Sequence, residues 1–159
     1  MIRTLLRPRF SVVSLLVLAA CTVPSGGTPA RGSGIVDGDG PSERVFGTLE
    51  YYGEPFQATV PATAEVGTPF AVTVITYGGS CLERGETAVE TESLRAEIRP
   101  YDYDTTPVSG LCAGDLQFHD HTATVTFAEM GEAEVVFYGL KEDGTGAVNV
   151  SYTRTLTVR

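Results

Sequence analysis

Apolar and polar residues alternate with a period of two along the chain after Arg44, which is the pattern of β-strands buried on one face. The clearest run is 147–158, where Val148, Tyr152 and Leu156 lie on one face and small polar residues lie on the other. The same reasoning predicts strong strands at 69–77, 93–100, 121–127 and 133–140, and weaker strands at 45–52, 56–60 and 86–91. No stretch of the chain has a convincing helical period, so we expect an all-β domain.

Turn signals separate these runs. Gly67-Thr68-Pro69 precedes one predicted strand and Gly78-Gly79-Ser80 ends it, while Met130-Gly131-Glu132 joins two strands tightly. Asp143-Gly144 is a strong hairpin signal before the last strand. About seven short strands in a domain of this length favour two antiparallel sheets packed face to face.

Two segments resemble bacterial immunoglobulin-like domains. Residues 67–74 look like the entry to the second strand of that fold, and 122–137 look like its fifth strand, turn and sixth strand. The resemblance spans about 57–159 and implies an antiparallel two-sheet immunoglobulin-like sandwich of about seven strands. The chain has no Trp, and its cysteines are not placed to join the second and sixth strands across the core, so an antibody-type domain is not indicated.

The amino terminus has the pattern of a secretory signal. Residues 1–9 hold three Arg and no acid, and 10–20 form an apolar run that is too short to span a bilayer as a helix. The segment Leu18-Ala19-Ala20-Cys21 resembles the lipobox of bacterial lipoproteins. The resemblance implies cleavage before Cys21, diacylglycerol on its thiol and acylation of the new amino terminus, hence a membrane partner through lipid. The alternative is simple secretion with an incidental Cys21.

Residues 22–43 contain six Gly, three Pro and three Ser, a composition that cannot bury enough surface to fold. We therefore predict three parts: a signal peptide at 1–20, a lipid anchor and flexible tether at 21–43, and a β-domain at 44–159. Thr22, in place of Asp, implies by the lipoprotein rule an outer-membrane location in a Gram-negative cell.

Charge narrows the choice of partners. The 159-residue chain has a formal net charge of −9. The predicted domain at 44–159 carries −10, from 7 basic and 17 acidic residues. This excess of acid argues against nucleic-acid binding through phosphates, and nothing in the sequence suggests a cofactor.

Cys81 and Cys112 are the cysteines left beside Cys21. Export to an oxidising compartment makes pairing the default, and strand counting places both at the same end of the domain. We therefore predict a disulfide that pins the long loop at 104–118. The loop at 79–86 and the turn at 141–146 are expected at this end, which is either a binding surface or simply a stapled connection.

His119 and His121 are spaced so that both side chains point to one face of a strand. Two such imidazoles can bind one metal ion, with an acidic side chain completing the site. The alternative is that they cover the core where the strand begins.

The run Tyr101-Asp102-Tyr103-Asp104 ends a predicted strand beside the long loop. Alternating Tyr and Asp can contact a sugar ring or a peptide, and Asp102, Asp104 and Asp115 are alternatively calcium ligands. The other interpretation is that the tyrosines cover the edge of the core.

No sequence motif of a hydrolase, metalloprotease or phosphate-binding loop is present. We therefore expect a non-catalytic, lipid-anchored protein of the cell envelope. It would serve as a structural or interaction module, with an envelope protein or polysaccharide as partner. The alternative is a ligand- or metal-binding lipoprotein that uses the disulfide-pinned end; a small hydrolase is a third candidate.

Overall fold

A computed structural model of the protein describes residues 43–159, which form strands, turns and loops. The ten strands are β1 (Glu43–Phe46), β2 (Thr48–Tyr51), β3 (Ala58–Thr59), β4 (Thr63–Ala64), β5 (Phe70–Gly78), β6 (Leu82–Glu92), β7 (Arg95–Asp104), β8 (Gln117–Val125), β9 (Gly131–Glu142) and β10 (Ala147–Val158). The described residues contain no helix of the length and apolar character needed to cross a bilayer. The predictions for the signal peptide, Cys21 and the tether up to residue 42 fall outside this described range.

The strands form one curled, mixed sheet. Its main path runs β1-β7-β9-β2-β5-β3, with β6 added to β7, β8 to β5, β10 to β9 and β4 to β10. Long antiparallel ladders join β5 to β8, β6 to β7 and β9 to β10. Shorter ladders that join β9 to β2, β9 to β7 and β10 to β4 are parallel. The predicted all-β class is confirmed, and the sheet mixes both pairing directions.

The parallel ladders arise from which strands become neighbours. The chain reverses direction at the tight connections that follow β6 and β9, because β6 pairs antiparallel with β7 and β9 with β10. Strand β8 pairs with β5 rather than with β9, so β7 and β9, which run in the same direction, meet side by side. The alternation of apolar and polar residues within a strand does not show which strand lies beside it. The sequence therefore did not predict these parallel pairs.

The predicted strand positions agree with the structure for the longer elements, and 147–158 coincides with β10. The predicted run at 45–52 is two strands, because Gly47 interrupts it between β1 and β2. The prediction missed β4, which has two residues and no detectable period. Ten strands, several of them very short, thus replace the expected seven or so.

The core contains the inward faces of five long strands and the β2 residue Leu49. Among its fully buried members are Val72 and Val74 of β5, Ile98 of β7, Val125 of β8, Val135 and Phe137 of β9, and Phe127 beyond β8. Leu156 and Val158 of β10 are buried as their alternation predicts, but Val148 is 53% exposed. The amino-terminal half of β10 therefore extends beyond the core.

Candidate functional site: a buried Asp–His–His cluster

Three ionisable side chains meet inside the sheet, and we call Asp102, His119 and His121 the Asp–His–His cluster. The period of β8 places His119 and His121 on one face, as predicted. Nδ1 of His119 and Nε2 of His121 each lie 3.1 Å from Oδ1 of Asp102 on β7. Because an ionised carboxylate only accepts hydrogen bonds, both ring nitrogens donate to it.

Two threonines complete the surroundings of His121. Thr76 Oγ1 on β5 lies 3.1 Å from Nε2, and Thr87 Oγ1 on β6 lies 3.1 Å from Nδ1. In the neutral imidazole with its proton on Nε2, Nδ1 accepts the hydrogen bond of the Thr87 hydroxyl. The cluster therefore joins side chains from four strands, and it links β6 to β8, which share no backbone ladder.

Burial makes these contacts energetically important. Asp102 and His121 are each 1% exposed and Thr76 is fully buried. Within residues 43–159, Oδ2 of Asp102 has no hydrogen-bond partner, and it lies close to Gly47 at the junction of β1 and β2. A buried polar atom without a partner is costly, so the cluster depends strongly on the hydrogen bonds that Oδ1 does accept.

The pKa of Asp102 reflects two opposed effects. Burial acts to raise the pKa, because a charged carboxylate is less stable away from water. The hydrogen bond from His121 and the nearby imidazoles act to lower it, and the net pKa lies below the ordinary value of 3.8. Asp102 is therefore ionised at neutral pH despite its burial.

Gly47 provides the space for this arrangement. A Cβ at this position would lie 2.4 Å from Thr76 Cγ2 and 3.3 Å from Asp102 Oδ2.

We expect Gly47→Ala to lower the free energy of unfolding by about 1–3 kcal/mol, the usual cost of overpacking a core. Urea unfolding measures the loss. Gly114→Ala is the control, since its Cβ would meet nothing within 4 Å; equal effects of the two substitutions would contradict the close packing described.

The order Thr87–His121–Asp102 places a hydroxyl, an imidazole and a carboxylate in sequence, as in nucleophilic catalysis. A surface cavity of about 310 Å³, lined by Arg84, Thr87 and His121 among others, adjoins this set. However, the side chain of His121 is fully buried. The hydrogen bonds of His121 to Thr76, Thr87 and Asp102 therefore link four strands.

The metal site predicted at His119 and His121 has a different environment in the structure. Both imidazoles share a face, as the spacing required, but the atom on which they converge is the carboxylate oxygen of Asp102. Within residues 43–159, no group of three or more His, Cys, Asp or Glu side chains is arranged to hold a metal ion. Asp102 engages Nδ1 of His119 and Nε2 of His121, and Thr87 engages Nδ1 of His121.

The predicted binding run Tyr101–Asp104 divides between two faces of β7. Tyr101 stacks on Phe46 of β1 with ring centroids 4.9 Å apart, and the guanidinium of Arg44 lies 3.5 Å from its ring centre. The Tyr103 hydroxyl donates to Glu86 at 2.8 Å. Both tyrosines thus contact neighbouring strands of their own sheet.

The two aspartates of that run also serve the fold. Asp104 accepts hydrogen bonds from the backbone and side chain of Thr106, which orders the start of the loop. Asp102 faces inward and belongs to the Asp–His–His cluster. Sequence reasoning missed this role, although the signal was present: Ala96 and Ile98 were predicted to point inward, and the same alternation along β7 brings Asp102 to that face.

The predicted pairing of Cys81 with Cys112 is present in the structure. Cys81 and Cys112 lie at disulfide-bond distance, with sulfurs 2.05 Å apart, and close the loop at 105–116 between β7 and β8. The Cys81 carbonyl accepts hydrogen bonds from the backbone and hydroxyl of Thr105 at 2.8 and 2.9 Å. Beyond these contacts, Val108 and Leu111 are 89% and 82% exposed. The loop is fixed at its base and presents apolar side chains at its tip.

The described residues thus define an all-β domain with a pinned loop and a buried polar cluster. A scan against protein-family models, a search of curated proteins and a search of solved structures each found no match to this chain.

Proposed function

We propose that this protein is a lipid-anchored component of the cell envelope whose β-domain is a non-catalytic structural or interaction module. The observation that carries the proposal is the segment Leu18-Ala19-Ala20-Cys21 after a basic start and a short apolar run. Several acyl chains on Cys21 would give stable anchoring, since each buried CH₂ contributes about 0.8 kcal/mol. We further propose that the sheet forms the two layers of an immunoglobulin-like sandwich. The single core shared by β5, β7, β8 and β9 supports this finer assignment.

The state of the Asp–His–His cluster supports a role without catalysis. A general base must reach its substrate, whereas His121 is buried with both ring nitrogens engaged by Asp102, Thr76 and Thr87. The cost of burying these groups is offset by the links they make between strands. The cluster is therefore assigned to the stability of the module.

The disulfide-pinned end is the part of the module that we assign to partner contact. Exposed loops on a rigid scaffold commonly carry binding residues, and here the disulfide holds the base of the loop at 105–116. Val108 and Leu111 offer apolar contact at its tip, and the acidic domain favours an envelope protein or an uncharged polysaccharide over an anionic surface. A tether at 21–43 would hold the domain clear of the lipid headgroups.

The test of the proposal is the substitution Cys21→Ser, which removes the thiol that would accept diacylglycerol. In a bacterial host given radiolabelled palmitate, we expect the unsubstituted chain to be labelled and to enter the detergent phase. We expect the Cys21→Ser chain to be unlabelled and to keep its leader. Thr22→Ser is the control, because it alters the neighbouring residue but retains the thiol.

Labelling and detergent partitioning of Cys21→Ser equal to those of Thr22→Ser would refute the lipid anchor. A cleaved, unlabelled and freely secreted wild-type chain would instead support the alternative of simple secretion.

A further inference from the structure

The open edge of β10 forms an interaction surface, and we propose that two copies of this chain pair antiparallel through it. Strand β10 runs in unbroken register with β9 from Ala147 to Val158. On its other side, within the part of the chain described, only Thr157 and Val158 pair, with β4. The stretch 147–155 therefore has a free edge nine residues long. This inference does not depend on the proposed lipid anchor.

The direction of the backbone groups at this edge follows from the β4 contact. The amides of Thr157 and Arg159 donate to the carbonyls of Ala62 and Ala64, so these residues point their hydrogen-bonding groups away from β9. Because N–H and C=O groups alternate sides along a strand, every second residue upstream points the same way. The residues that face the open edge are Ala147, Asn149, Ser151, Thr153 and Thr155.

The fold holds this edge in place without covering it. The Tyr152 ring stacks on Phe56 with centroids 4.2 Å apart, and its hydroxyl donates to Glu50. One edge carbonyl, that of Thr153, accepts a hydrogen bond of 3.3 Å from the exposed Arg154 side chain. A long exposed side chain gives way at little cost, so the edge is prepared to pair with an incoming strand.

The other strand edges in this domain are protected, and β10 is the exception. Strand β6 carries four glutamates, Glu83, Glu86, Glu90 and Glu92, and its ladder with β7 is irregular between Arg84 and Thr87. Strands β1 and β3 are only four and two residues long, and β8 faces β6 across the His121–Thr87 hydrogen bond. Charge, irregularity and shortness are the usual defences against edge pairing. Strand β10 has no proline, no irregularity and a single charged residue, Arg154.

A second copy is the occupant that the charge distribution favours. The domain at 44–159 carries a net charge of −10, so two copies repel each other across most of their surfaces. The stretch 147–155 has no acidic residue and is therefore where two copies approach with least repulsion. Its Val, Tyr and Thr side chains are those that pair well across strands.

The free stretch also fixes the register of the pair. Full antiparallel overlap of 147–155 with itself places the two-fold axis at Ser151, whose backbone groups face the edge. Tyr152 then lies opposite Val150 of the partner subunit, an aromatic and β-branched pair of the favoured kind. The two Ser151 residues come within about 5.5 Å, whereas the two Thr155 residues lie roughly 27 Å apart, at about 3.4 Å per residue.

Cross-linking tests this register in the full chain, in membranes of the producing cells. Ser151→Cys and Thr155→Cys place a thiol on the same edge and the same face of β10, and both positions are exposed. With a short bis-maleimide, we expect Ser151→Cys to give a band of twice the chain mass at least tenfold stronger than that of Thr155→Cys. The wild-type chain gives the background, which includes any unmodified Cys21.

Equal dimer bands from the two variants would show random collision and overturn the proposal, as would no dimer from Ser151→Cys. A cross-linked product whose mass differs from that of two chains would identify another protein as the occupant and also overturn it.

Discussion

The substitution Asp102→Ala is expected to lower the free energy of unfolding at neutral pH by about 4 kcal/mol. Removing one member of a buried, hydrogen-bonded charged group typically costs 3–5 kcal/mol, because its partners remain buried without compensation. Here the ring N–H groups of His119 and His121 would both lose Oδ1, 3.1 Å away in each case. Urea unfolding of the two chains under identical conditions measures the difference.

Asp104→Ala is the matched control for this experiment, since Asp104 lies on the same strand but its partner Thr106 is in the loop at the domain surface. We expect that control to cost about 1 kcal/mol or less, the net value of ordinary exposed hydrogen bonds. If Asp102→Ala costs no more than Asp104→Ala, the Asp–His–His cluster does not stabilise the sheet.

Acid should remove the stabilisation that Asp102 gives the folded wild-type chain. The folded-state pKa of this carboxyl lies below its ordinary value of 3.8, so its contribution is complete above that pH and is lost as pH falls through the folded value. The difference in unfolding free energy between wild type and Asp102→Ala should therefore be constant near neutrality and shrink below pH 3.8. An unchanged difference in acid would contradict the role of the ionised carboxylate.

Removal of the disulfide is the second large effect that we expect. Cys81 and Cys112 are separated by 31 residues, and closing a loop of that length restricts the unfolded chain by roughly 3–4 kcal/mol in the chain-entropy model. The double variant Cys81→Ala/Cys112→Ala should lose about that much stability in urea unfolding. The loop at 105–116 should also become more accessible to protease.

Treatment of the wild-type chain with dithiothreitol should produce the same loss, while the double variant should not respond to it. This comparison separates the effect of the bridge from that of the substituted side chains. A loss below about 1 kcal/mol in both experiments would show that the disulfide contributes little to the stability of the domain.

The sequence predicted the elements of this fold better than their arrangement. Alternation in 93–100 and 121–127 located β7 and β8, because one face of each strand meets the core. It could not show that β8 pairs with β5 and leaves β7 beside β9, since many pairings bury the same faces. Two-residue strands such as β4 are invisible to any periodic pattern.

The candidate site, too, was predicted from the sequence only in part. The spacing of His119 and His121 by itself determined that both imidazoles share a face, and strand counting brought Cys81 to Cys112. That the imidazoles meet Asp102 was decided by tertiary structure, because β7 and β8 do not pair and come together only when the sheet curls. The tertiary structure also decided which edge of β10 is left open.

The sequence alone therefore determined strand positions and the faces of side chains, because these follow from a period of two. The tertiary structure decided which strands are neighbours, which polar groups are buried together and which edge remains unpaired. Those features depend on contacts between residues that are far apart in the sequence. The pattern of residues within a single strand does not encode such contacts.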